Sequence, residues 1–198
     1  MTILSDKDLK KAIENKELEI SEINLNEISC ASIDLCLGNK FRVFKHSEIT
    51  HIDVKKGIPD NLTKLTEIKD GEKFVVHPGE LILAVTKEYI KLPDHLAGRL
   101  DGRSSLGRIG LIVHSTASAF DPGFEGNATL EISNISKIPI IIRPGIKIAR
   151  FTLEVLSSKC ETPYSQKKGA KYFKNTEPEN SKIKEDWGEK NGFNLFKV

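Results

Sequence analysis

Ile33-Asp34-Leu35-Cys36-Leu37-Gly38-Asn39-Lys40-Phe41-Arg42-Val43-Phe44 carries the reading of the fold. Side chains of a strand alternate between two faces, so Ile33, Leu35 and Leu37 would share one apolar face, and Phe41 and Val43 another. Gly38-Asn39 between the two halves reads as a hairpin turn. Further strand segments follow at short intervals, over 73–76, 81–86, 111–114, 128–133, 138–142 and 146–156, punctuated by Pro78-Gly79, Pro122-Gly123 and Pro144-Gly145. In the last segment Ile146 and Ile148 lie in one register and Phe151, Leu153 and Val155 in the other, which predicts a β-bulge near Ala149-Arg150. Many short strands with turn signals between them predict an all-β barrel or double-sheet roll. One helix is expected over 6–16: Ser5 and Asp8 make a capping-box-like start, and Leu9, Ala12 and Ile13 recur at helical spacing.

A chain of 198 residues suffices for one domain with a substantial core. The 30 Lys and Arg against 28 Asp and Glu leave a net charge of +2, so there is no global basic field for nucleic acid, and an anion site must be local. Cys30, Cys36 and Cys160 are odd in number and lack the paired spacing of a tetrahedral zinc site, which fits a reducing cytoplasm. The start, Met1-Thr2-Ile3-Leu4-Ser5-Asp6, lacks export-signal features, and no apolar run of about 18 residues occurs. The expectation is a cytoplasmic protein with no membrane partner. Past Cys160 the chain turns polar and charged, so residues 1–160 read as the barrel domain with its N-terminal helix and 161–198 as a C-terminal lid and tail.

Glu131 stands in an alternating segment, Asn127-Ala128-Thr129-Leu130-Glu131-Ile132-Ser133, which places Thr129, Glu131 and Ser133 on one polar face. Upstream, Gly102-Arg103-Ser104-Ser105-Leu106-Gly107-Arg108 offers a guanidinium fork, two hydroxyls and backbone N–H groups of the kind that suit phosphate oxygens. One helical turn there would put Ser104 and Arg108 on the same face. The same residues also read as a plain helix cap with solvated arginines. Asp121-Pro122-Gly123-Phe124 is likewise both a candidate site and an ordinary turn sequence. His114 follows an apolar run and reads as a structural histidine, Phe120 and Phe124 as pocket wall or core, and Trp187 receives no role.

Taken in order, Ala31–Phe41, His77-Pro78-Gly79-Glu80, Leu100–Arg108, His114-Ser115-Thr116-Ala117, Asp121–Phe124, Glu131, Arg143-Pro144-Gly145, Tyr164 and Ala170-Lys171-Tyr172 resemble the dCTP deaminase branch of the dUTPase-like superfamily. The resemblance implies a mainly β subunit, a distorted β-barrel or jelly-roll of the dUTPase-like type with a few short helices. It also implies a homotrimer with active sites between subunits, and dCTP brought with Mg²⁺ as substrate. Glu131 would be the general base, Arg108 the arginine orienting it, and Ser104 and the Ala117 carbonyl the anchors of the attacking water. Arg103, Ser104, Ser105, Tyr164 and Lys171 would hold the triphosphate, with Asp121 near the sugar and the metal-bound phosphates. dUTP is the implied product, and dTTP a candidate inhibitor.

Zinc deaminases pair H-x-E with P-C-x-x-C; His46-Ser47-Glu48 matches the first by spacing and nothing matches the second, so no zinc is expected. Without a metal to activate water, a carboxylate must take its proton. The main reading is deamination of dCTP to dUTP and ammonia. Two departures bear on it. Single-function members carry His-Arg after Thr-Ala and bifunctional members Gly with an aromatic or apolar residue, whereas this chain has Ser118-Ala119-Phe120, somewhat closer to the bifunctional type that forms dUMP and pyrophosphate. Glutamines usually follow Lys-Tyr, but here Phe173-Lys174-Asn175-Thr176 stands in their place. A plain dUTPase and a non-catalytic nucleotide sensor are the competing readings, the first weakened because Phe124 stands where that family has Tyr.

Overall fold

In the computed structural model, which describes residues 2–45, 49–59, 61–69, 71–116 and 118–187, the elements run β1 (Thr2–Ile3), α1 (Asp6–Glu14), β2 (Glu19–Ile20), β3 (Ile33–Phe44), β4 (Thr63–Glu67), β5 (Phe74–Val76), β6 (Leu81–Lys91), β7 (Leu96–Gly102), α2 (Ser104–Gly107), β8 (Leu111–Ile112), β9 (Ala119–Phe120), β10 (Glu125–Asn134), β11 (Ile140–Ile142) and β12 (Lys147–Val155). The expected mainly β fold is found. Ten strands form one antiparallel sheet in the order β8-β10-β6-β3-β12-β7-β9, with β4 on β3, β2 on β6 and β1 on β12, while β5 and β11 pair separately. The sheet curls around a core to which β3 gives Leu35, Leu37 and Phe41, β6 gives Ile82 and Ala84, β10 gives Leu130 and Ile132, and β12 gives Ile148, Phe151 and Leu153. Fully burying a large apolar side chain contributes about 1.5–3 kcal/mol, so these alternating faces supply most of the drive to fold.

The hairpin expected at Gly38-Asn39 is absent: β3 runs through it as one strand. Ile33 to Cys36 pair with β12, whereas Leu37 and Phe41 to Val43 pair with β6 across a register shift between Leu37 and Phe41. Gly38 sits where β3 crosses β6 closely; a Cβ there would come within 2.9 Å of the Val85 carbonyl oxygen. A glycine that reads as a turn by composition is therefore a close crossing inside a strand. The bulge expected near Ala149 is present as a register shift between Lys147 and Ala149 against β3. The three Pro-Gly pairs are turns with glycine at φ 78, 80 and 83, a region that only residues without a Cβ adopt cheaply. β7 escaped the sequence reading because two glycines and two charged residues interrupt its apolar positions.

Helix α1 begins as expected. The Ser5 side chain accepts from the Asp8 N–H at 3.4 Å and Leu9 and Ala12 are buried, but the helix stops at Glu14 because Asn15 caps it and Lys16 turns left-handed at φ 58. No helix among the described residues is long and apolar enough to cross a membrane. Cys30, Cys36 and Cys160 are free thiols. The H-x-E triplet, His46 to Glu48, lies outside the described residues, as does Ala117.

Glu88 is the one buried carboxylate of the sheet among the described residues, 3% exposed, and its Oε2 accepts from the Cys36 N–H at 2.9 Å where β3 passes between its two pairings. Burial pushes its pKa above the ordinary carboxylate range, and burial together with Glu88 pushes the Cys36 thiol up to about 11. The folded state thus holds the Glu88 proton to higher pH than the unfolded chain does. Its contribution is complete below the carboxylate range and is lost as pH rises through the raised folded value. Glu88→Gln keeps an acceptor for Cys36 and removes the titration, so its Tm relative to the parent should climb as pH rises above the ordinary carboxylate range. Parallel Tm–pH curves for the two proteins would show that Glu88 does not titrate in this window.

Candidate active site

Glu131 sits on β10 opposite Leu83 of β6, half-buried. Its Oε2 accepts from the Ser115 N–H at 3.2 Å, and the Ser115 hydroxyl donates to the Glu131 carbonyl at 3.3 Å, so the segment after β8 holds both the carboxylate and its backbone. The side chain lines a cleft of about 340 Å³ together with Asp121, Phe124, Thr129, Tyr164 and His114. Such a volume suits a small organic ring and part of its substituents.

Asp121 reaches this cleft through its turn. Pro122 and Gly123 form the centre, Gly123 has φ 80, and the Phe124 N–H returns to the Asp121 carbonyl at 3.0 Å. A Cβ on Gly123 would meet Pro163 Cβ at 2.6 Å, and the Tyr164 N–H donates to the Pro122 carbonyl at 2.7 Å, so the same turn is the seat on which Tyr164 docks. An aromatic row follows: Phe151 to Phe120 at 5.5 Å between ring centres, Phe120 to Phe124 at 4.9 Å, and Phe124 to Tyr164 at 6.2 Å. It runs from core to cleft wall, the place expected for Phe120 and Phe124.

The segment after Pro163 crosses the open side of the cleft as a strap. The Tyr172 N–H donates to the Tyr164 hydroxyl at 3.1 Å, the Lys174 N–H to the Glu125 carbonyl at 2.7 Å, and the Asn127 N–H to the Asn175 carbonyl at 2.8 Å. Farther on, Arg42 Nε donates to the Pro178 carbonyl at 2.7 Å and the Thr63 hydroxyl to Asn180 Oδ1 at 2.6 Å. Tyr172, Asn175 and Glu179 thereby join the cleft wall. Asn127 and Thr129 could have been found from sequence, since they share the alternation of Glu131; Asn175 and Glu179 could not, because only the folding back of the strap brings them in.

Arg103, Ser104 and Ser105 line a different depression, of about 600 Å³, with Asp101, Arg150 and Thr152. Arg103 Nη1 lies 2.6 Å from Asp34 Oδ2, and Arg150 and Lys147 approach the same carboxylate at 3.7 and 3.8 Å. The expected helical turn is present: the Arg108 N–H donates to the Ser104 carbonyl at 3.0 Å, with Ser104 and Arg108 both exposed. Lys171 pairs with Asp186 and lines neither cavity. One chain therefore brings together Glu131, Asp121 and Tyr164, and presents Arg103, Ser104, Ser105 and Arg108 elsewhere.

A curled antiparallel sheet with a carboxylate-lined cleft, part of whose wall is its own strap, presents a candidate small-molecule site on a mainly β scaffold. The profile of the dCTP deaminase-like family matches residues 3–156. The chain is 50% identical over 171 residues, 86% of its length and 90% of the other, to "dCTP deaminase, dUMP-forming" of Corynebacterium glutamicum (strain R). It is 46% identical over 187 residues, 93% of its length and 96% of the other, to the protein of the same description from Dictyoglomus turgidum. Among solved structures, the 2'-deoxycytidine 5'-triphosphate deaminase from Agrobacterium tumefaciens superposes with a TM-score of 0.60 at 20% identity, over 77% of this chain and 47% of that one, a likeness of fold. The chain belongs to the dCTP deaminase-like family.

Proposed function

We propose that this protein deaminates dCTP and carries the product onward to dUMP and pyrophosphate. The observation that supports it most is Glu131, a half-buried carboxylate held by Ser115 inside a cleft of nucleoside size with Asp121 in its wall. In this reading Glu131 takes a proton from water as the oxygen attacks C4 of cytosine. It passes that proton to N3, then relays the proton of the new C4 hydroxyl to the amine, and the tetrahedral adduct collapses to the carbonyl with loss of ammonia, so dCTP and water give dUTP and ammonia. A second water then displaces pyrophosphate from the α-phosphate of dUTP. The onward step is favoured over release of dUTP, the main expectation from sequence, because relatives at 46–50% identity carry the dUMP-forming description. The Ser118-Ala119-Phe120 departure points the same way.

The remaining groups are supplied by a neighbouring copy. Ser104, Arg108, Arg103 and Ser105 do not line the Glu131 cleft of their own chain. Ile109, Ile112, Ile135 and Ile138 are exposed along the adjoining edge where β8 pairs with β10, an apolar surface that a homotrimer would cover. Mg²⁺ would arrive on the triphosphate. No group of three His, Cys, Asp or Glu among the described residues could cage an ion, and phosphate oxygens with the Asp121 carboxylate fit a cation that prefers such mixed ligands. When bound it neutralises phosphate charge; Arg103, Ser104, Ser105, Tyr164 and Lys171 would hold the rest of the triphosphate, and Arg108 would orient Glu131.

Product analysis tests the reading. Purified protein incubated with dCTP and Mg²⁺ should yield ammonia, dUMP and pyrophosphate in equal amounts. Accumulation of dUTP would cut the reading back to a single-function deaminase, and no ammonia from dCTP would overturn it.

A further inference from the structure

Glu131 faces Leu83 only because the β10–β6 ladder jumps. Asn127 pairs with Tyr89, yet Thr129 pairs with Val85, so Ala128 alone stands opposite Thr86, Lys87 and Glu88. Two extra residues of β6 are looped out just before the catalytic segment. Had the ladder continued without them, Glu131 would lie opposite Val85, about 7 Å along the strand. A slip of one residue would turn the apolar face of β10 outward, but a slip of two keeps every side chain on its face. The hydrophobic pattern is therefore blind to this offset, and specific polar contacts must set it.

Those contacts come from Asn127 and Thr86. Asn127 Nδ2 donates to the carbonyls of Thr86, Lys87 and Glu88 at 2.9, 3.2 and 3.1 Å, the three residues of β6 that stand opposite Ala128 alone. Three acceptors around one atom fix the amide's orientation, since its oxygen there would face only lone pairs. The Thr86 hydroxyl accepts from the Ala128 N–H at 2.9 Å and donates to the Glu88 carbonyl at 2.9 Å, with Thr86 1% and Ala128 0% exposed. Backbone groups left unpaired are costly where they are buried, and at the offset these two side chains pair the Ala128 N–H and the Thr86, Lys87 and Glu88 carbonyls. The Asn127 N–H also holds the strap through the Asn175 carbonyl, which ties that part of the cleft wall to the same residue.

We infer that Asn127, with Thr86, is a positioning residue that locks β10 two residues out of register and so delivers Glu131 to Ser115 and the cleft. The inference rests on Glu131 being the base. Asn127→Asp keeps the shape, but its carboxylate would confront three carbonyls. Its kcat on dCTP should fall about a hundredfold with KM changed less than about threefold, and amide exchange in 81–91 and 125–134 should rise at least about tenfold. Asn127→His keeps an N–H donor at the same reach and should return kcat to within about tenfold of the parent. Thr86→Val, which removes only a hydroxyl, should shift exchange and kcat in the same direction and provides the test if Asn127→Asp fails to fold. Parent-like kcat in Asn127→Asp, or lost kcat with unchanged exchange in both strands, would overturn the lock. If Glu131→Gln stays active, the assignment of the base fails, while the exchange measurement still decides whether Asn127 and Thr86 set the register.

Discussion

Glu131→Gln is expected to lower dCTP turnover by about a thousandfold while leaving dCTP affinity within about threefold of the parent. The amide retains an oxygen that can accept from the Ser115 N–H, so the contact that holds the side chain at 3.2 Å survives the change. What disappears is the capacity to take a proton from water and return it to the ring and the departing amine. That loss is confined to the transition state and falls on kcat, not on binding. Ammonia release at saturating dCTP, with dCTP binding followed by calorimetry, separates the two quantities. Turnover within about tenfold of the parent would remove Glu131 from the role of base and turn attention to the other carboxylates of the cleft, Asp121 and Glu179.

The second large effect is on stability. Gly98 of β7 lies under the ring of Phe151: a Cβ at this position would stand 2.2 Å from Phe151 Cζ and 2.7 Å from Cε2. Phe151 is fully buried and meets Phe120, which in turn meets Phe124 in the cleft wall, so the ring has no direction in which to yield cheaply. Gly98→Ala should cost about 3 kcal/mol, an overpacking penalty at the upper end of the usual range. For a chain of this size that corresponds to a fall in Tm of about 6–12 °C. Adding Phe151→Leu to Gly98→Ala should recover part of the loss, because the two residues are in contact and their effects are coupled. A Tm within about 2 °C of the parent for Gly98→Ala would show that the sheet relaxes around the new methyl group.

Gly98 and Gly38 mark what a single sequence hides. Both read as interruptions or turns, and both are sites where the backbone approaches a neighbour that lies far away in sequence, Phe151 in one case and Val85 in the other. Composition signals the special backbone position but not the partner that requires it. The Pro-Gly turns, by contrast, were legible because their conformation follows from the two residues themselves. The same division runs through the site. Glu131, Thr129 and Asn127 could be placed on one face from period-two alternation, and the turn carrying Asp121 from its own four residues.

The amino-acid sequence by itself determined the mainly β architecture, the first helix, the Pro-Gly turns, the bulge in β12 and the family. Each of these depends on residues adjacent in the chain or on motifs in a fixed order. Only the tertiary structure decided that β3 passes between two pairings without turning, that Asn175 and Glu179 reach the cleft through the strap, and that Arg103, Ser104 and Ser105 line a different depression from Glu131. It also decided where along β6 Glu131 stands. Alternation records which face a side chain takes and is unchanged by a shift of two residues. The distance along the strand is set instead by bonds between Asn127, Thr86 and carbonyls some forty residues away in the chain.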